Sequence, residues 1–195
     1  MPKPTTPSRT ARERLLEAAA SLFYQHGITA TGIDTITQTA GVAKQSLYNN
    51  FSSKEDLVCA YIEARHAEWL ALYEARYNSA ATPKDRVLAV FDAYADHAAA
   101  AYVYGFRGCG LLNAAAELSK LHPVREAVRQ HKEAVEAIIR EHVADHRRTA
   151  PDHARPLARQ LAFLLEGAVV RAGLEGSNAS VMEARDMASS LLDTP

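Results

Sequence analysis

The feature that most constrains the fold is a pair of short helical segments that meet at a glycine. Ile33, Ile36 and Ala40 recur at helical spacing, Gly41 follows, and the next short segment places Leu47 inward. The small side chain of Ala40 lets the two segments approach closely, and glycine suits a sharp turn after a helix. This spacing predicts a helix-turn-helix, although a generic helical hairpin would give the same pattern.

The remainder of the 195-residue chain shows the same helical periodicity. Alanine is abundant, and no run alternates apolar and polar residues over the length of a strand, so we expect an all-α fold. About nine helices are expected, forming an N-terminal three-helix helix-turn-helix domain and a larger C-terminal helical domain. The predicted boundaries are 1–8 for a disordered tail, 9–54 for the first domain and 55–195 for the second.

Composition excludes several classes of protein. No apolar run approaches the roughly 20 residues that span a bilayer, and residues 1–8 lack the apolar stretch of a signal peptide. Cys59 and Cys109 offer neither a disulfide framework nor zinc-site spacing. We therefore expect a cytoplasmic protein that uses no membrane partner, structural metal or cofactor.

Charge is distributed unevenly along the chain. Residues 1–54 carry six Lys or Arg and three Asp or Glu, whereas residues 55–195 carry sixteen and twenty. A basic N-terminal domain joined to an acidic C-terminal domain indicates that a polyanion would bind the N-terminal domain.

The segment from Ile33 to Leu57 resembles the DNA-binding domain of the TetR family of repressors. The resemblance is close over residues 12–58 and looser beyond, where Gly108 to Leu118 looks like the ligand domain of one branch of the family. It implies a homodimeric transcriptional regulator, most often a repressor, that binds double-stranded palindromic operator DNA. It also implies that a small-molecule effector enters the second domain and releases the DNA.

The resemblance places the second short helix in the major groove. Lysine can bind guanine there, and glutamine or asparagine can form two hydrogen bonds with adenine. Hydroxyl, amide and ammonium groups nearby suit phosphate contacts. The residues expected to contact DNA are Thr31, Thr35, Lys44, Gln45, Ser46, Tyr48, Asn49, Asn50 and Lys54. An acidic residue, Asp34, is not assigned a contact.

A helix from about residue 154 is apolar over more than one face, which is broader than a surface helix of a monomer requires. In the family the last two helices pair with those of a second subunit. The expected dimer-interface residues are therefore Leu157, Leu161, Leu164, Leu165 and Ala168. Burial of this helix inside one subunit is the alternative.

Aromatic residues along the middle helices are candidates for an effector pocket. Clefts between helices that are lined by aromatic side chains commonly bind small molecules, but such residues also form ordinary core. The candidate ligand-binding residues are Trp69, Tyr73, Phe91, Tyr94, Tyr102, Phe106, Cys109, Asn113, Glu117 and His131.

Three of these candidates allow more than one kind of signal for the release of DNA. Glu117 and His131 could orient a ligand or hold a divalent metal, since carboxylate and imidazole are a workable ligand set. Cys109 could sense an oxidant or electrophile if its thiol is reactive. The alternative is a hydrogen-bonded core histidine beside a solvated polar edge.

The sequence disfavours two other functional classes. An enzyme is disfavoured because the sequence lacks a nucleophile elbow, a phosphate-binding glycine loop and an HExxH motif. An architectural DNA-binding protein would not need an aromatic sensor domain or an acidic body. Footprinting separates the two kinds of DNA binder, because a regulator protects a discrete palindrome.

Overall fold

The computed structural model describes residues 9–99, 105–119 and 123–194, and within these ranges it contains helices and no strands. The helices are α1 (Ala11–His26), α2 (Ile33–Ala40), α3 (Lys44–Asn50), α4 (Lys54–Tyr77), α5 (Pro83–Ala99), α6 (Gly110–Ala116), α7 (Pro123–Arg147), α8 (Pro151–Glu175) and α9 (Ala179–Asp193). The prediction of an all-α fold is confirmed. The predicted tail, 1–8, lies outside the described residues.

The first three helices form the helix-turn-helix unit. A capping box begins α1, because the Thr10 side chain accepts a hydrogen bond from the Glu13 amide while the Glu13 carboxylate binds the Thr10 amide. Gly41 ends α2 in the left-handed conformation at φ 62°, which glycine adopts without strain. Ile36 and Leu47 are completely buried and hold α2 and α3 against α1.

Helix α4 connects this unit to the rest of the protein. Ser53 caps its first turn by accepting a hydrogen bond from the Asp56 amide. Near its start Tyr61 packs edge-on against Phe23 of α1, with ring centroids 5.6 Å apart. Farther along, α4 packs on α5 and α7, so one rigid helix contacts both parts of the molecule.

The larger part is built from α5, α7, α8 and α9, which pack on one another around a common apolar core. The segment preceding α6 crosses α8 at two glycines. A Cβ atom added to Gly173 would lie 2.4 Å from the backbone nitrogen of Gly108, so this backbone contact requires glycine. No helix in the described ranges is long and apolar enough to cross a membrane.

Candidate nucleic-acid interface and inner cavity

Helix α3 presents a polar face to solvent. Lys44, Gln45 and Asn49 are exposed, as is nearly half of the Tyr48 side chain, while Leu47 on the opposite side is buried in the core. Thr35 of α2 is exposed as well. The face therefore offers an ammonium, two amides and a phenol for hydrogen bonds with a nucleic acid.

Several of these side chains are already oriented by neighbours. Lys44 Nζ lies 2.8 Å from Asp34 Oδ1, and this hydrogen bond raises the pKa of Lys44. The Gln45 amide donates to Asn49 Oδ1 at 3.1 Å. Arg14 of α1 donates from Nε to the carbonyl of Ala40 at 2.9 Å, which fixes the turn before α3.

Two of the predicted phosphate-binding side chains, one buried and one half-buried, form hydrogen bonds with the loop between α1 and α2. Thr31 is buried, and its hydroxyl donates to the carbonyl of Gly27 at 2.6 Å. Lys54 Nζ donates to the carbonyl of Ile28 at 2.6 Å, and burial lowers the pKa of this ammonium. Both side chains brace the loop between α1 and α2, because their polar atoms complete backbone hydrogen bonds there.

Ser46 and Asn50 occupy an intermediate position on α3. Both are half-buried, and Asn50 Nδ2 donates to the carbonyl of Ser46 at 2.7 Å. The Asn50 amide group therefore stabilises the end of the helix, which leaves the more exposed residues of α3 as the principal candidates for base contacts.

A small cavity lies where the helix-turn-helix unit meets the larger part. Its volume is about 30 Å³, enough for one or two water molecules. The residues that line it are Tyr24, Arg65, Trp69, Tyr94, His97, Cys109, Gly110, Leu111, His131 and Val169. Because Tyr24 belongs to α1, the first helix of the helix-turn-helix unit forms part of the wall.

The predicted ligand residues divide into two groups. Trp69, Tyr94, Cys109 and His131 line the cavity. Phe91 is completely buried in the core, Phe106 lies beside His97, and Tyr73 stacks on Trp69 with centroids 5.6 Å apart. Tyr102 lies outside the described residues.

The predicted grouping of Asn113, Glu117 and His131 does not occur. Asn113 is exposed and donates to the carbonyl of Arg107 at 3.1 Å. The Glu117 carboxylate accepts hydrogen bonds from the amides of Ile28 at 3.0 Å and Thr29 at 2.8 Å. Among the residues the structure describes, no cluster of three His, Cys, Asp or Glu side chains could hold a metal ion.

His131 is the centre of a buried hydrogen-bond chain. Its Nδ1 lies 2.7 Å from Nδ1 of His66, and its Nε2 lies 3.3 Å from the Tyr94 hydroxyl. Burial lowers the pKa of His131 to about 3, so the ring is neutral near pH 7. A neutral ring carries one N–H, so it can donate to one of these partners and accept from the other.

Sequence reasoning missed three polar cavity residues. Arg65 lies one helical turn before Trp69, and His97 lies three residues after Tyr94, so helical spacing could have identified both. Tyr24 could not have been found this way, because it reaches the cavity from a separate helix.

The segment before α6 joins the cavity to α1. The Tyr24 hydroxyl accepts a hydrogen bond from the Arg107 amide at 2.6 Å and donates to the carbonyl of Gly108 at 3.3 Å. The Arg107 guanidinium also donates to the carbonyls of Tyr24 and Gln25 near the end of α1. Together with the Glu117 carboxylate bonds, these contacts form what we call the α1 clasp.

The residues predicted for the dimer interface occupy different positions on α8. Leu161 and Leu165 are completely buried and Ala168 nearly so, because this face of α8 packs within its own subunit. Leu157 and Leu164 are half-buried. The outward face instead carries a stripe of large exposed side chains, namely Phe163, Val170 and Leu174, with Met182 and Met187 exposed on α9.

Two family models match the chain. Residues 15–61 match the bacterial regulatory proteins of the tetR family, and residues 83–188 match the tetracyclin repressor-like C-terminal domain. The second match covers more than half of the chain.

Two transcriptional repressors also align with part of the chain. The transcriptional repressor KstR2 of Mycobacterium tuberculosis is 36% identical over 98 residues, which are 48% of each chain. The transcriptional repressor NemR of Escherichia coli is 35% identical over 81 residues, 41% of each. These alignments span about half or less of the curated relatives.

Solved structures match over nearly the full length. A TetR-family transcriptional regulator from Streptomyces coelicolor superposes with a TM-score of 0.84 at 31% identity, covering 93% of this chain and 94% of that one. The reduced form of Escherichia coli NemR superposes with a TM-score of 0.77 at 25% identity, covering 95% and 99%.

Proposed function

Because the chain belongs to the TetR family of bacterial transcriptional regulators, we propose that it is a repressor that binds a palindromic operator as a homodimer. A small molecule that enters the inner cavity releases the operator. Members of the family are DNA-binding regulators and not enzymes. This agrees with the sequence, which lacks a nucleophile elbow, a phosphate-binding glycine loop and an HExxH motif.

The observation that carries this proposal is the exposed polar face of α3. Gln45 and Asn49 lie one turn apart on that face, and an amide can form two hydrogen bonds with adenine in the major groove. Lys44 lies beside them and can bind guanine, and Tyr48 suits a contact with the phosphate backbone.

Selection of bound sequences from a random DNA library tests operator binding. We expect a palindrome whose half-sites lie about one helical turn apart, roughly 34–36 Å. Gln45→Ala is expected to relax the preference at one base pair of each half-site, at a cost of about 1–3 kcal/mol. Tyr48→Ala is expected to weaken binding to all sequences similarly. Enrichment of no sequence, with uniform coating of DNA, would reject a regulator that recognises an operator.

The dimer interface is proposed to be the exposed stripe on α8 together with the neighbouring face of α9. Phe163, Val170 and Leu174 are exposed in the single subunit, and a contiguous apolar face of this kind marks an interaction surface. An open groove lined by residues including Phe163, Gly167 and Met187 runs between the two helices. A second copy would cover the stripe.

Charge placed on this stripe tests the dimer. The double variant Phe163→Glu, Leu174→Glu is expected to be monomeric in light scattering, because burying unpaired carboxylates at a subunit interface is strongly unfavourable. Leu70→Glu is the matched control, since Leu70 is an exposed leucine on α4. A double variant that remains dimeric would place the interface elsewhere.

Cys109 supports a second candidate for the trigger, since the thiol lines the cavity. In that case an oxidant or electrophile would modify the thiol and act on the same walls as a bound ligand. Cys109→Ser separates the two triggers, because it abolishes release by a thiol reagent and preserves release by a reversible ligand.

A further inference from the structure

The chemistry of the cavity walls limits the kind of effector. Ligand sites usually occupy about 300–1,000 Å³, so a cavity of about 30 Å³ is a closed state that must open to admit any ligand. A single-ring molecule requires the least opening. Trp69 and Tyr94, whose centroids lie 5.5 Å apart, offer aromatic surface for such a ring.

Two hydrogen-bond donors in the cavity wall have no acceptor among the residues that the structure describes. They are Trp69 Nε1 and Arg65 Nε, and both atoms are buried. They lie one turn apart on α4, so both belong to the same wall of the cavity. A buried donor without an acceptor is unfavourable, and a ligand that supplies acceptor oxygens here would remove that cost.

The charges around the cavity favour an anion over a cation. Arg65 contributes a guanidinium, and none of the described residues that line the cavity carries a carboxylate. Glu68 pairs with Nη2 of Arg65, but its side chain is half-exposed and it does not line the cavity. Lys132 adds a second cation 5.5 Å from the Tyr94 ring, with Glu166 3.8 Å from its ammonium.

The two cavity histidines add no charge that changes this balance. Burial lowers the pKa of His97 as well as that of His131, so both rings are neutral near pH 7. A neutral imidazole can donate or accept, so it does not select between ligand charges.

We propose that the effector is a small aromatic carboxylate. Its ring packs against Trp69 and Tyr94, and its carboxylate accepts the unmatched N–H groups of Arg65 and Trp69. A carboxylate fits because its two oxygens accept from several donors, and hydrogen bonds to an ionised group are stronger than neutral ones. The inference names the ligand class for the effector site of the proposed function and rests on that function.

Calorimetric titration with three ligands of similar size tests the proposal: benzoate, benzyl alcohol and benzylammonium. We expect benzoate to bind at least about tenfold more tightly than either of the others. Arg65→Gln is expected to reduce benzoate affinity at least about tenfold while changing benzyl alcohol affinity less than about twofold. Trp69→Phe keeps a ring and removes the N–H, so a smaller loss confined to benzoate is expected.

The matched control is Arg140→Gln. Arg140 also has a buried Nε with no hydrogen-bond partner in the described part of the chain. It is not among the residues that line the cavity, so its replacement should leave benzoate affinity unchanged. Thermal unfolding of each variant verifies that it folds.

Three results would overturn the ligand class: no heat of binding from benzoate at about 10 mM, equal or tighter binding of benzylammonium or benzyl alcohol, or unchanged benzoate affinity in Arg65→Gln. Operator binding without ligand, measured in parallel, keeps the two inferences separate. Intact operator binding with no response to benzoate would reject the aromatic carboxylate alone. Benzoate binding without a selectable operator would reject the proposed function instead.

Discussion

The α1 clasp makes a specific contribution to stability that Glu117→Gln should expose. The Glu117 carboxylate accepts two backbone hydrogen bonds, from Ile28 at 3.0 Å and Thr29 at 2.8 Å. Hydrogen bonds to a charged group contribute about 1.5–3 kcal/mol when buried, but Glu117 is exposed, and solvent screening reduces each to about 1 kcal/mol. Glutamine keeps one oxygen and loses the other, so we expect a loss of about 1 kcal/mol.

Thermal unfolding at a single fixed protein concentration measures this loss, because the stability of the proposed dimer would depend on protein concentration. A change of about 1 kcal/mol corresponds to a decrease in Tm of about 2–4 °C for a chain of this size. Glu63→Gln, at an exposed position of α4, is the matched control and should leave Tm unchanged.

The pH dependence gives an independent check. Burial opposes ionisation of Glu117, but the hydrogen bonds from Thr29 and Ile28 outweigh it and hold the pKa of the carboxyl below its ordinary value of 4.5. A carboxyl with a lowered pKa stabilises the fold above its unfolded pKa and loses that contribution as pH falls through the folded pKa. The difference between wild type and Glu117→Gln should therefore be full at pH 7 and shrink below pH 4.5. A difference that is absent at pH 7, or that grows in acid, would refute this account.

Three further changes have distinct expected outcomes. Leu161→Ala should lower the free energy of unfolding by about 2–5 kcal/mol in chemical denaturation, because Leu161 is completely buried. Leu174 is exposed, so Leu174→Ala should leave the stability of a monomeric variant nearly unchanged. Gly27→Ala should reduce Tm and weaken the clasp, since Gly27 has a φ of 87° and an added Cβ would lie 2.6 Å from Glu117 Oε1; unchanged Tm would contradict the geometry. His131 should make unfolding sensitive to acid. Because the pKa of His131 is lowered in the folded protein, the unfolded chain binds one more proton below about pH 6.5, and the free energy of unfolding should fall by up to about 1.4 kcal/mol per pH unit. His131→Gln should flatten this slope.

The helix-turn-helix and the helical class could be predicted from the sequence because both depend on local spacing. Gly41 and the apolar residues around it determine α2, the turn and α3 without reference to the rest of the chain. The direction of a side chain near a helix end depends on the loop it meets. Thr31 and Lys54 illustrate this, since both turn inward to satisfy carbonyls of residues 27 and 28.

Longer-range pairing explains the other differences. Apolar periodicity indicates that α8 has a broad apolar surface, but it cannot indicate which side packs within the subunit. Leu161 and Leu165, which are expected at the dimer interface from the sequence, are buried within the single subunit. Helical spacing and side-chain chemistry predict that Glu117 could act together with His131, yet the partners of Glu117 lie in the loop after α1, nearly 90 residues earlier. Neither contact leaves a periodic signal in the sequence.

The position of the cavity suggests how a ligand would act on DNA. Tyr24 and the segment from Cys109 to Leu111 form adjoining parts of its wall, and the Tyr24 hydroxyl is bonded to both Arg107 and Gly108. A ligand larger than a water molecule must displace part of this wall. Gly173 of α8 already lies against the backbone of Gly108, so this part of the segment has no room to retreat toward α8.

Movement of this segment is therefore directed toward α1 or along α6, and either movement would strain the hydrogen bonds of the clasp. The ligand shifts the population only as far as it binds the opened state more tightly than the closed one. A weakened clasp lowers the cost of opening, so Glu117→Gln should need less benzoate for half-maximal release of operator than wild type. Reciprocity then requires operator DNA to weaken benzoate binding by the same factor by which benzoate weakens operator binding. If DNA binding is sensitive to benzoate while benzoate affinity is insensitive to DNA, the cavity and α3 are not thermodynamically coupled and the clasp has a structural role alone.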